Sequence, residues 1–177
     1  MEDYKEFKTP QEVEEWVAKH YTKDELWEFD CLRNEKSPVG DYKGGLYNHM
    51  NRCLWLVGIE EYNEYSAQDL QKALMQHTIP EGITVTRFVS LKEWLALVKN
   101  TMFHKEYVYR SFLSTTLLRD HYSMDNIKRG RLAIRIYVPA GTNGMYLPEV
   151  NPASPEFEIL LPCNMKLKRT GLFSFVI

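Results

Sequence analysis

The chain has 177 residues, enough for one domain, and 44% hydrophobic against 26% charged residues is the balance of an ordinary globular protein. With 22 basic and 24 acidic side chains the net charge is −2, which argues against a protein whose main task is to coat a polyanion. That figure averages two unlike regions, because residues 1–30 carry ten acids against four lysines and the remainder is mildly basic. The longest apolar stretch, Cys53 to Ile59, is about a third of a membrane span, so no crossing of a bilayer is expected. The first residues have neither the basic end nor the apolar segment of a secretion signal, and action in a cytoplasm is expected. Cys31, Cys53 and Cys163 form no CxxC and the histidines lack ligand-like spacing, so neither a disulfide framework nor a metal is expected.

The first half reads as helices. Thr9-Pro10-Gln11-Glu12 is a capping box with proline at the first helical position, and Val13, Trp16 and Val17 share one face behind it. Thr22-x-x-Glu25 repeats the signal before Leu26 and Phe29. Ser37 to Asp41 breaks the pattern, and helical spacing resumes over Leu46, Met50, Cys53, Leu54 and Val57. A further helix starts near Ser66, buries Leu70, Ala73 and Leu74, and ends around Pro80-Glu81-Gly82.

After Gly82 the period changes to two. Ile83, Val85, Arg87 and Val89 alternate with Thr84, Thr86 and Phe88, a strand with an arginine on its apolar face. Leu91, Trp94, Leu95 and Val98 predict one more helix. Strands are predicted from Tyr107 through Leu113 into Ser114-Thr115-Thr116, from Arg131 to Val138, from Phe157 to Leu161 and from Met165 to Arg169, with Leu172 to Ile177 closing the sheet. Helices first and strands second predict an α+β domain, its N-terminal helices packed on a mixed, mainly antiparallel β core.

Four groups of residues carry chemistry. A charge in the middle of a strand, as at Arg87, calls for an anion or a partner carboxylate, and a structural ion pair is the plain alternative. Ser114-Thr115-Thr116 places hydroxyls at a strand end, where a simple β-forming run is the alternative. Glu156 and Glu158, two apart on a predicted strand, point to one face and can address one substrate, unless they mark an exposed edge. Tyr42, Tyr47 and Asn51 precede or open a helix after Gly44-Gly45.

The order Arg87, Ser114-Thr115-Thr116, Glu156-x-Glu158 resembles the Arg / Ser-Thr-Ser / Glu-x-Glu class of bacterial mono-ADP-ribosyltransferase toxins. The matching segments are IPEGITVTRFVS, YRSFLSTTL, GRLAIRIYVPAGTNGMYLPEVNPASPEFEILLP and, upstream, YKGGLYNHMNRCL. They look most like the catalytic domains of actin-modifying binary toxins and vegetative insecticidal toxins, from about Tyr42 to Lys168. The resemblance implies the two-sheet ADP-ribosyltransferase fold. It also implies one catalytic domain over 1–177, with a helical leader at 1–36, a helical NAD-side region at 37–82 and a β-rich core at 83–177.

It implies further that NAD+ is the substrate and no metal takes part. Nicotinamide is released and ADP-ribose passes to an acceptor, with NAD+ hydrolysis as a side reaction. On that pattern Glu158 stabilises the oxocarbenium-like transition state, Ser114 holds Glu158, and Glu156 orients or deprotonates the acceptor. Arg87 grips a phosphate, Arg131 or Arg129 supplies a second cation, and Tyr42, Tyr47, Asn51 and Ser111 contact the nucleotide. An acid at 156 goes with arginine acceptors in this class, and a nearby carboxylate is a sensible way to make a guanidinium nucleophilic.

The chain departs from the pattern at three places. Phe88 follows the key arginine where binary toxins often have a second arginine, Thr116 replaces the last serine, and Ala153 stands where actin-modifying relatives place an aromatic. Actin is therefore not the expected target. The expected partner is a macromolecule modified by the enzyme, protein before nucleic acid, with room for an antitoxin or immunity protein. A nucleic-acid base as acceptor and a catalytically silent module of the same fold are the alternatives, the first allowed by Lys128-Arg129-Gly130-Arg131.

Overall fold

The computed structural model describes residues 4–33, 42, 47–62, 65–104, 106–119, 129–148 and 156–177. The break expected at 37–41, Lys128 of the basic run and Ala153 lie outside the described residues. Helices α1 (Pro10–His20) and α2 (Lys23–Arg33) start where the two Thr-x-x-Glu signals place them. At α2 the box closes both ways: Glu25 N donates to Thr22 Oγ1 at 3.2 Å and Thr22 N to Glu25 Oε2 at 2.7 Å. Those bonds from Thr22 hold the Glu25 carboxyl below the usual carboxylate range. Helices α3 (Tyr47–Val57) and α4 (Tyr65–Gln76) bury Met50, Leu54, Leu70 and Leu74, as their spacing predicts.

Eight strands follow: β1 (Ile83–Val89), β2 (Tyr107–Tyr109), β3 (Leu113–Thr116), β4 (Leu132–Val138), β5 (Met145–Leu147), β6 (Glu158–Leu161), β7 (Met165–Arg169) and β8 (Ser174–Val176). Among the described residues they run in the order β2-β7-β8-β4-β1-β3-β6-β5. Among the described strands only β4 and β8 pair in parallel, so the fold is the expected helices on a mixed, mainly antiparallel sheet.

One joint in this sheet matters for the site. β1 pairs with β4 along its whole length but with β3 only at Thr86↔Thr116. Beyond that pair β1 and β3 form no further ladder, and two core clusters pack on the sheet. One core joins Val13, Trp16 and Val17 of α1 to β1, β4 and Phe175. The other joins Phe29, Met50, Leu54, Leu70 and Leu74 to Met145, Leu147 and Leu160. The site lies where β1 and β3 stop pairing.

Four expectations need correction. The predicted strand from Tyr107 into Thr116 is two strands, β2 pairing with β7 and β3 with β1 and β6, separated at Arg110–Phe112. β5 was not expected; it pairs with β6. Helix α5 (Leu91–His104) exists, but Leu91 and Leu95 are 56% and 52% exposed. Its inward face carries Glu93, Leu97 and Thr101, which share one side at a spacing of four, so turning Glu93 inward turns Leu91 and Leu95 out. Finally, β6 begins at Glu158, and Phe157 before it has φ of 44°. Glu156 is therefore not on a strand, and the two-residue alternation does not explain how the two glutamates come to share a cavity.

Candidate active site

Where β1 and β3 part, a cavity of about 540 Å³ opens. Arg87, Ser114, Thr116, Glu156 and Glu158 line it, with Tyr42, Asn51 and Arg131. The structure thus brings most of the sequence-predicted site residues together from five separate stretches of chain. Ser111 is the exception: it is buried close to Tyr109 and is not part of the lining. Tyr47 opens α3, and its side chain lies outside the described residues.

Glu158 starts β6 opposite Thr116 and is only 4% exposed. Ser114 Oγ donates to its Oε1 at 2.5 Å. Two residues along β3, Thr116 Oγ1 donates to the carbonyl of Glu156 at 2.9 Å, while Thr115 Oγ1 turns to the carbonyl of Ile159 at 2.8 Å. The hydroxyl run is thus an active part of the β3–β6 joint. Glu156 lies at the exposed rim of the cavity.

Arg87 resolves the cost of its mid-strand charge with a carboxylate that the motifs did not single out. Its Nε donates to Glu93 Oε1 at 3.2 Å, Nη1 to the Ser114 carbonyl at 2.8 Å and Nη2 to the Tyr109 hydroxyl at 2.6 Å. Tyr109 OH in turn donates to Glu93 Oε1 at 2.7 Å. The Nη1 bond spans the opening where β1 and β3 no longer pair. Burial by itself disfavours the charged guanidinium, but Tyr109, Glu93 and Tyr42 outweigh it and push the Arg87 pKa up, so the group stays charged. Burial pushes the Tyr109 phenol up, and it remains a neutral donor.

The signal for Glu93 was present: Ser90-Leu-Lys-Glu93 follows β1 and is a capping box. Its first half forms, Glu93 N donating to Ser90 Oγ at 3.1 Å, while the carboxylate also serves Arg87. Nothing local in the sequence marked Tyr109. Across the cavity, Asn51 Nδ2 donates to Tyr42 OH at 2.8 Å, and Asn51 Oδ1 is buried with no hydrogen-bond partner. A buried acceptor without a donor is costly, and a bound ligand with an N–H or O–H would satisfy it. Among the described residues no three His, Cys, Asp or Glu side chains group as a metal site, and no helix is long and apolar enough to cross a membrane.

Solved ADP-ribosylating toxins share this fold. The ADP-ribosylating component of a C. perfringens binary enterotoxin, solved with NADH, superposes with a TM-score of 0.67 at 20% identity, over 91% of this chain and 42% of that one. The chain therefore spans less than half of that protein. An ADP-ribosyltransferase from Clostridium botulinum gives a TM-score of 0.69 at 15% identity over 99% of this chain and 97% of its own. A protein of the C3 group from S. aureus, solved with NAD, gives 0.65 at 14% over 99% and 97%. No curated protein matches by sequence. The sequence model of the ADP-ribosyltransferase exoenzyme family matches residues 13–172, and the chain belongs to that family.

Proposed function

We propose that the chain is a mono-ADP-ribosyltransferase that uses NAD+ and modifies arginine on a target protein, with residues 1–177 acting as one catalytic domain. The observation that carries this reading is the Ser114-held Glu158 facing the same cavity as Glu156. As the bond between nicotinamide N1 and ribose C1′ breaks, its electron pair leaves with neutral nicotinamide and positive charge gathers on the ribose. A carboxylate fixed by a 2.5 Å hydrogen bond stabilises that charge without having to reorganise. The acceptor guanidinium must lose a proton as its nitrogen attacks C1′, and Glu156 at the rim takes it. Water at the same carbon gives hydrolysis instead.

The nucleotide is bound by Arg131, by the remaining N–H donors of Arg87, and by Asn51, whose Oδ1 accepts from it. Tyr47 belongs to the same set, and Ser111 acts by supporting Tyr109. Support for NAD+ also comes from the nucleotides bound to the C. perfringens and S. aureus proteins. The purified chain should release nicotinamide from NAD+ and label protein with biotinyl-NAD. Glu158→Gln should abolish both reactions. Glu156→Gln should cut transfer by roughly 100-fold or more while sparing most hydrolysis, and equal loss of the two would defeat the assignment of roles.

A further inference from the structure

Ser114 holds Glu158, yet Glu156 lies outside the strand, and something else must fix its direction. The chain between the glutamates is bent: Phe157 has φ of 44°, a left-handed conformation that bulky residues seldom take. Residues 116–118 bracket this bend. Thr116 Oγ1 donates to the Glu156 carbonyl at 2.9 Å and accepts from Leu118 N at 3.2 Å. Leu117 N donates to the Phe157 carbonyl at 2.9 Å. The Phe157 side chain, 2% exposed, lies in the same core cluster as Leu117 and Leu118. Backbone and burial hold Phe157, but the carbonyl of Glu156 is held by a side-chain hydroxyl.

We propose that Thr116 is a positioning residue for the acceptor-side carboxylate: its hydroxyl fixes the left-handed bend at Phe157 and so aims Glu156 into the cavity beside Glu158. The first and third hydroxyls of the run then serve one glutamate each, Ser114 through its carboxylate and Thr116 through its main chain. This rests on the reading of Glu156 as the group that acts on the acceptor.

The test compares Thr116→Val, which keeps the shape and loses the hydroxyl, with Thr116→Ser, which keeps it. Nicotinamide release and transfer to agmatine, a small guanidine acceptor, are measured side by side. Thr116→Val should lower kcat for transfer roughly 10- to 100-fold, the cost of a misplaced reacting group, with hydrolysis and the KM for NAD+ nearly unchanged. Thr116→Ser should restore most of the transfer. In a Glu156→Gln background Thr116→Val should add little further loss, because the two residues act as a unit.

Parallel loss of hydrolysis and transfer, undiminished transfer, or failure of Thr116→Ser to rescue each overturns the assignment. If Thr116→Val loses the circular dichroism of the folded chain, Thr116→Cys, a weak donor of similar size, carries the same comparison. A wild type that releases nicotinamide but modifies neither agmatine nor protein overturns the underlying reading as well. A wild type that modifies agmatine, with Thr116→Val undiminished, overturns this assignment alone.

Discussion

Glu93 and Tyr109 decide how Arg87 presents its charge. Nitrogen atoms at all three corners of the guanidinium are engaged by Glu93, Ser114 and Tyr109, so the group is oriented before any ligand arrives. Tyr109→Phe removes one acceptor from the guanidinium and one donor to the carboxylate, in a place where water does not replace them. The expected loss of stability is about 1–3 kcal/mol. On the proposed role of Arg87 in nucleotide binding, the KM for NAD+ should rise more than kcat falls. Thermal melts and initial rates read the two effects separately, and unchanged KM with reduced kcat would contradict this role. Without a structure, Glu93 was readable only as a helix cap, and Tyr109 only as one aromatic in a strand.

A carboxylate just before β1 adds a polar tie to the apolar packing of helix α1. Trp16 Nε1 donates to Glu81 Oε2 at 3.0 Å, and His20 Nε2 lies 3.2 Å from the same oxygen. Burial works to raise the Glu81 pKa, but the Trp16 bond with Lys19, Lys5 and His20 outweighs it, and the carboxyl is held below its usual range. A depressed folded-state pKa contributes stability that is present above the unfolded value and is lost as pH falls through the folded one. Glu81→Gln should therefore lower Tm by about 2–4 °C near neutral pH, the effect of one hydrogen bond. The gap from wild type should narrow below about pH 4, and a gap independent of pH would show that the ionised carboxylate is not what makes this tie. The capping boxes of α1 and α2 were legible because four consecutive residues complete them. The split of the predicted strand at Arg110–Phe112 was not, because periodicity is the same whichever partner a strand pairs with.

At the scale of the molecule, the mildly basic body does not translate into a basic cavity. Among the described residues its lining holds Arg87 and Arg131 against Glu93, Glu156 and Glu158. On the proposed reading, recognition of a diphosphate there rests on placed donors, with no general positive field to assist. That balance also disfavours a polyanionic acceptor, whose binding depends on clustered cations. Label transferred from biotinyl-NAD in a lysate should accordingly be released by protease and resist RNase. The opposite result would move the acceptor to a nucleic-acid base.

The class of fold and the family were legible in the chain before folding. Helix caps, a change of period after Gly82 and an ordered set of short motifs are encoded by neighbours in the sequence. Folding was needed to settle which carboxylate meets Arg87, that Ser111 does not line the cavity, and that Glu156 stands off the strand beside a bend. Each of these depends on contacts between distant segments: α5 against β1, β2 against Arg87, and β3 against the bend at Phe157. The motif placed Glu156 and Glu158 together on a strand by a rule of alternation. In the fold they share a cavity across a left-handed residue, Phe157, and the carbonyl of Glu156 before it accepts from a hydroxyl 40 positions earlier in the chain, a relation that period and spacing do not record.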